Sequence, residues 1–82
     1  MRQVLTDIAK SIVNNPQSVE VEEREEGNTI YLKLIVDEND LGKVIGKQGR
    51  IAKAIRTVVR AVANRENKRV IVDILDHEET ID

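Results

Sequence analysis

Residues 44–51 read Val-Ile-Gly-Lys-Gln-Gly-Arg-Ile, and this stretch constrains the chain more than any other. Two glycines enclose two polar residues, with apolar residues before them and a basic, amphipathic run after. Glycine has no side chain, so another backbone can come close at Gly46 and Gly49. A helix starting just beyond offers unpaired N–H groups and the positive end of its dipole. Lys47 and Arg50 add full positive charge. The chain must therefore turn sharply between two helices, and the turn is a seat for phosphate, which points to a nucleic-acid backbone.

The net charge of -2 hides a strong asymmetry. Nine of the thirteen basic residues fall between Lys43 and Arg69, where Glu66 is the single carboxylate. The other fourteen carboxylates lie outside that segment. A local field of this kind steers a polyanion even when the whole molecule is slightly acidic.

Hydrophobic periodicity gives the elements. Val4, Leu5, Ile8 and Ile12 fall at helical spacing, so residues 2–14 are expected to form a helix stopped by Asn14, Asn15 and Pro16. Residues 18–26 alternate and read as a strand, and Glu26-Gly27-Asn28 as a hairpin turn. Residues 29–36 are the clearest strand. Ile30, Leu32, Leu34 and Val36 share one face, and Ile35 makes the other face partly apolar, as suits a central strand. Residues 37–40 form an acidic helix start, followed by a short helix to about Val44. Gly42 within it suggests close packing or, as the alternative, room for RNA to approach. A second helix is expected over residues 50–63, with Ile51, Ile55, Val58, Val59 and Val62 as its apolar stripe. Lys53, Arg56 and Arg60 lie on its opposite, solvated face. Residues 64–68 are a polar loop, 69–75 a last strand, and 76–82 an acidic, frayed tail.

The order is αββααβ. The two middle helices cross over between parallel strands, which is nearly always a right-handed connection. An α+β fold follows, with a three-stranded mixed sheet and three helices on one face. At 82 residues this is a single domain over 1–82.

Several function classes are excluded. There is no cysteine, so no disulfide framework or thiolate metal site forms. His77 is the lone histidine and sits in the acidic tail, with too few fixed ligands for a metal. Gly46-Lys47 lacks the glycine spacing and the following Ser or Thr of a P-loop. No catalytic constellation is present, so the chain is not expected to be an enzyme or to need a cofactor. Tyr31 is the single aromatic, which argues against readers that stack bases on rings. No apolar run is long enough to span a membrane, and no signal peptide is evident, so a cytoplasmic location is expected.

The element order, with Gly-x-x-Gly between the two middle helices and Val44-Ile45 before it, resembles the type II KH domain. The Ile-Gly-Lys-x-Gly core, the basic helix after it and the short length resemble the bacterial KhpA family of small RNA-binding proteins. That resemblance implies a cleft for about four single-stranded nucleotides. Gly46, Lys47, Gln48 and Gly49, with Arg50 and Lys53, would grip the sugar-phosphate backbone. Leu41, Val44, Ile45 and Ile51 would form the cleft floor against bases. Residues 64–69 would be the variable loop forming part of the other wall, with Arg65, Lys68 and Arg69 meeting RNA. The resemblance further implies an RNA chaperone that pairs with KhpB, a second KH protein, and self-associates, in a setting of cell elongation and wall homeostasis. The alternative is an interaction subunit that mainly dimerises while its partner contacts the RNA.

Overall fold

The computed structural model describes residues 1–78. Its central element is β2 (Thr29–Val36), whose bounds and alternation match the sequence expectation. It pairs antiparallel with β1 (Glu20–Glu26) and parallel with β3 (Arg69–Asp76), giving the sheet order β1-β2-β3. Ile30, Leu32, Leu34 and Val36 project from one face of β2 into the core. They meet Leu5 and Ala9 of α1 (Arg2–Ile12), Val44 of the five-residue α2 (Leu41–Ile45) and Ile55, Val59 and Ala63 of α3 (Arg50–Arg65). The architecture is the α+β sandwich expected, with two long helices and one short one on a single face of a mixed sheet.

The differences lie in phase and boundaries. On α3 the buried residues are Ala52, Ile55, Val59 and Ala63. Ile51 and Val58, expected in the stripe, are exposed. Small residues win the positions of closest approach to the sheet, and this rotates the helix relative to a count of bulky residues alone. α3 also runs two residues further than expected, because Asn67 adopts a left-handed conformation and lets the Lys68 amide bond back to the Ala63 carbonyl.

The segment before α2 works differently from an acidic helix start. Asp40 is 1% exposed, and its carboxylate does not cap its own helix. It accepts hydrogen bonds from the Asn14 amide (3.1 Å), the Asn15 amide (3.0 Å) and the Asn15 side-chain amide (3.0 Å). Burial pushes this carboxyl up, but those bonds and the Lys43 ammonium outweigh it, and its pKa lies below the ordinary value. The bonds end α1 at Ile12 rather than at Asn14. A 3₁₀ turn at Pro16–Ser18 then delays β1 to Glu20.

The expected frayed tail is corrected at its start. Asp76 belongs to β3, and the His77 amide donates to the Val36 carbonyl at 3.1 Å, extending the ladder. The His77 ring lies 2.8 Å from the Ser18 carbonyl and 3.4 Å from Glu20. The remainder of that expected tail, 79–82, lies outside the described residues.

Candidate nucleic-acid interface

α2 ends at Gly46, whose φ of 75° and ψ of 176° suit glycine alone. A Cβ at this position would lie 2.6 Å from Ile51 Cγ1 and 2.8 Å from Ile51 Cβ. Gly46 is thus both the hinge of the turn and the floor on which Ile51 rests. Gln48 (φ 57°) and Gly49 (φ 74°) continue in left-handed conformations, and the Gly49 amide closes onto the Gly46 carbonyl at 3.2 Å. The Arg50 amide then bonds the Lys47 carbonyl. No side chain caps the start of α3. Gly42 has nothing within 4 Å of a built Cβ, so close packing does not explain it.

The cations around this turn are free. Lys43, Lys47, Arg50 and Lys53 are exposed, and none has a carboxylate within ion-pair distance among the described residues. Three basic residues elsewhere are paired with carboxylates. Arg24 pairs with Glu26 at 3.3 Å, Lys33 with Glu22 at 3.8 Å, and Lys68 with Glu25 at 2.6 Å. Positive charge is left unneutralised on the side of the molecule where the turn and α3 lie.

Not every expected site residue reaches this place. Of the cleft floor, Ile45 (37% exposed) and Ile51 (38% exposed) flank the turn and are presented to a ligand. Leu41 is half-buried against the core. Val44 is wholly buried, because it is the residue by which the short α2 anchors to the sheet, so it exposes no surface beside the turn. Arg65, Lys68 and Arg69 lie at the other end of α3, about 24 Å away for sixteen residues. The Glu25 hydrogen bond raises the Lys68 pKa, against its partial burial and helped by the charges of Glu25, Glu66 and Glu23, so this ammonium is already engaged.

One contact escaped the sequence reading. Arg56, expected on a solvated face, is half-buried and donates from Nε to the Val72 carbonyl on the outer edge of β3 at 3.2 Å. It ties α3 to the open edge of the sheet midway along the groove between them. The signal was its spacing of four from Ala52 and from Arg60, which sets Arg56 beside the buried row rather than opposite it.

The model of the KhpA/KhpB KH domain matches residues 2–74. The chain belongs to the KhpA/KhpB KH-domain family. RNA-binding protein KhpA of Clostridium acetobutylicum is 57% identical over 75 residues, covering 92% of this chain and 100% of that one. The Aquifex aeolicus KhpA is 43% identical over 76 residues, covering 93% of this chain and 96% of its own. The Listeria monocytogenes protein of the same name is 41% identical over 76 residues, covering 93% and 100%. These are named as RNA-binding proteins, and the family is not one of enzymes.

Among solved structures, Era in complex with MgGDPNP and a 16S ribosomal RNA segment superposes with a TM-score of 0.57 at 23% identity. Aquifex aeolicus Era bound to GDP and aluminium fluoride gives a TM-score of 0.64 at 24% identity. In both cases 92% of this chain is covered, but only 29% of the Era chain. These likenesses establish the KH fold.

Proposed function

We propose that this chain binds single-stranded RNA in the cytoplasm, holding the sugar-phosphate backbone at the turn Gly46-Lys47-Gln48-Gly49. The observation that carries this is the turn itself. Three residues at positive φ lead into a helix start with no side-chain cap, ringed by cations that form no ion pair among the described residues. Arg50 and Lys53 extend the positive rim, and Ile45 and Ile51 offer apolar contact to bases. Recognition is mainly of the backbone, so sequence selectivity is low and affinity weakens with salt. Family membership supports an RNA-chaperone role alongside a KhpB-type partner, in cell elongation and wall homeostasis. A short seat has limited affinity, and a linked second seat raises it through effective concentration.

Lys47→Asp with Gln48→Asp tests the site. Both side chains are exposed, so circular dichroism should be unchanged while gel-shift binding of single-stranded RNA is lost. Retained affinity would remove the proposed seat.

One observation favours a second reading, a self-associating subunit. Ile51, Ala54, Val58 and Ala61 are all exposed along one side of α3, with Val58 at 47%. This stripe recurs at helical spacing and suits another helix. Light scattering on the isolated chain, with and without Val58→Arg, separates the two. A dimer that dissociates with this substitution while RNA binding survives would make association a separate property of the chain.

A further inference from the structure

The family match ends at residue 74, and the Clostridium acetobutylicum relative is covered in full by 92% of this chain. The run Asp76-His77-Glu78-Glu79-Thr80-Ile81-Asp82 therefore follows the part shared with that relative. It holds four carboxylates and no lysine or arginine. Its point of departure is fixed by described residues. Asp76 stands in register with Val36, on the helix side of the sheet. The His77 amide bonds the Val36 carbonyl and its ring lies against the Ser18 carbonyl, so the strand end is held at both. Glu78 is exposed just beyond.

α3 runs back along β3. Arg56 meets β3 at Val72, and Arg60 shares a recess with Val70. Four helical residues and two strand residues each advance about 6 Å. The same register sets Ala52 level with Ile74 and Gln48 level with Asp76. β3 also packs against α2, the helix that leads into the glycine turn. The acidic run thus leaves the sheet at the end of the molecule where Lys43, Lys47, Arg50 and Lys53 stand exposed without ion pairs among the described residues. The five residues after His77 can span about 17 Å at full extension. We propose that residues 78–82 act as an acidic strap, whose carboxylates compete with RNA phosphates for this cationic seat. The tether supplies a high effective concentration, and salt screens the attraction. RNA then meets a seat that is open for only part of the time, and its apparent affinity falls by that fraction. This rests on the RNA-binding reading above and adds a regulator to the same seat.

Two triple variants test it. Glu78→Gln/Glu79→Gln/Asp82→Asn removes three charges from the strap, and Glu22→Gln/Glu23→Gln/Glu26→Gln removes the same number from β1 at the far edge of the sheet. Binding of oligouridylate is followed by fluorescence anisotropy at about 50 mM and about 300 mM salt, with circular dichroism to report the fold. The strap variant should bind about fivefold more tightly than the wild type at the lower salt, and within about twofold of it at the higher. The β1 variant should stay within about twofold of the wild type at both. Without RNA, the amide resonances of Lys47, Gln48, Gly49 and Arg50 should move in the strap variant at low salt and stay in place in the β1 variant. An unchanged affinity at low salt, seat amides that do not move, or equal gains from both triples overturns the strap. The glycine seat is untouched by those results, since Lys47→Asp with Gln48→Asp decides it separately. Seat amides that move in a chain that binds no RNA, with or without the strap charges, overturn the RNA-binding reading and the competition with it.

Discussion

Gly46 and Gly42 stand four residues apart and answer to different constraints. At Gly46 a methyl group would strike Ile51 while holding a φ of 75°, which costs roughly 1–3 kcal/mol in backbone strain alone. Ile51 would have to move, and the seat with it. Gly46→Ala is therefore expected to lower the thermal midpoint and weaken RNA binding together, read by differential scanning calorimetry and gel shift. At Gly42 a methyl group meets nothing, and the residue lies in a helix. Gly42→Ala should stabilise the chain by about 0.4–1 kcal/mol in urea unfolding, through the narrower unfolded ensemble. A glycine-rich motif in a sequence does not by itself say which of its glycines are obligatory; contact with one side chain, Ile51, separates them here.

At the scale of elements, the rotation of α3 is directly testable. Ile55 is buried, so Ile55→Ala should cost about 2–5 kcal/mol of unfolding free energy. Ile51→Ala should cost well under half of that and act instead on RNA affinity. The link between α1 and α2 responds to pH. Because the folded Asp40 carboxyl has a lowered pKa, the unfolded chain takes up this proton first as the solution is acidified. The stabilisation is complete above the ordinary carboxylate value and fades as pH falls through the lower folded one. Asp40→Asn should lower the midpoint by several degrees at neutral pH, and the gap to the wild type should narrow on the acid side of about pH 4, in melts across that range. These same elements show what a sequence discloses. β2 was legible to the residue, since strict alternation is a local signal. The end of α1 was not, because it is set by Asp40, some twenty-five residues later in the chain. The phase of α3 was misread because isoleucine and valine weigh more than alanine in a hydrophobic count, while a crowded helix–sheet contact favours the smaller group. Arg56 was hidden for a related reason, since its partner is a carbonyl on β3, and no residue type marks a carbonyl.

For the whole molecule, the separation of charge follows the order of the sheet. β1, at one edge, carries Glu20, Glu22, Glu23, Glu25 and Glu26, while Arg56 and Arg60 of α3 lie beside β3 at the other edge. A strand held at about four phosphates should give a slope near −3 in log affinity against log salt, measured by fluorescence anisotropy. The glycine turn was visible from residue order alone, whereas the placement of residues 64–69 at the far end of α3 required the length of that helix and the direction of β3. The acidic strand has one more consequence. An exposed sheet margin is a template on which a neighbouring copy can add its own strand, a route to aggregation. Here two β1 margins brought side by side would set rows of glutamates against each other, which opposes stacking through that edge.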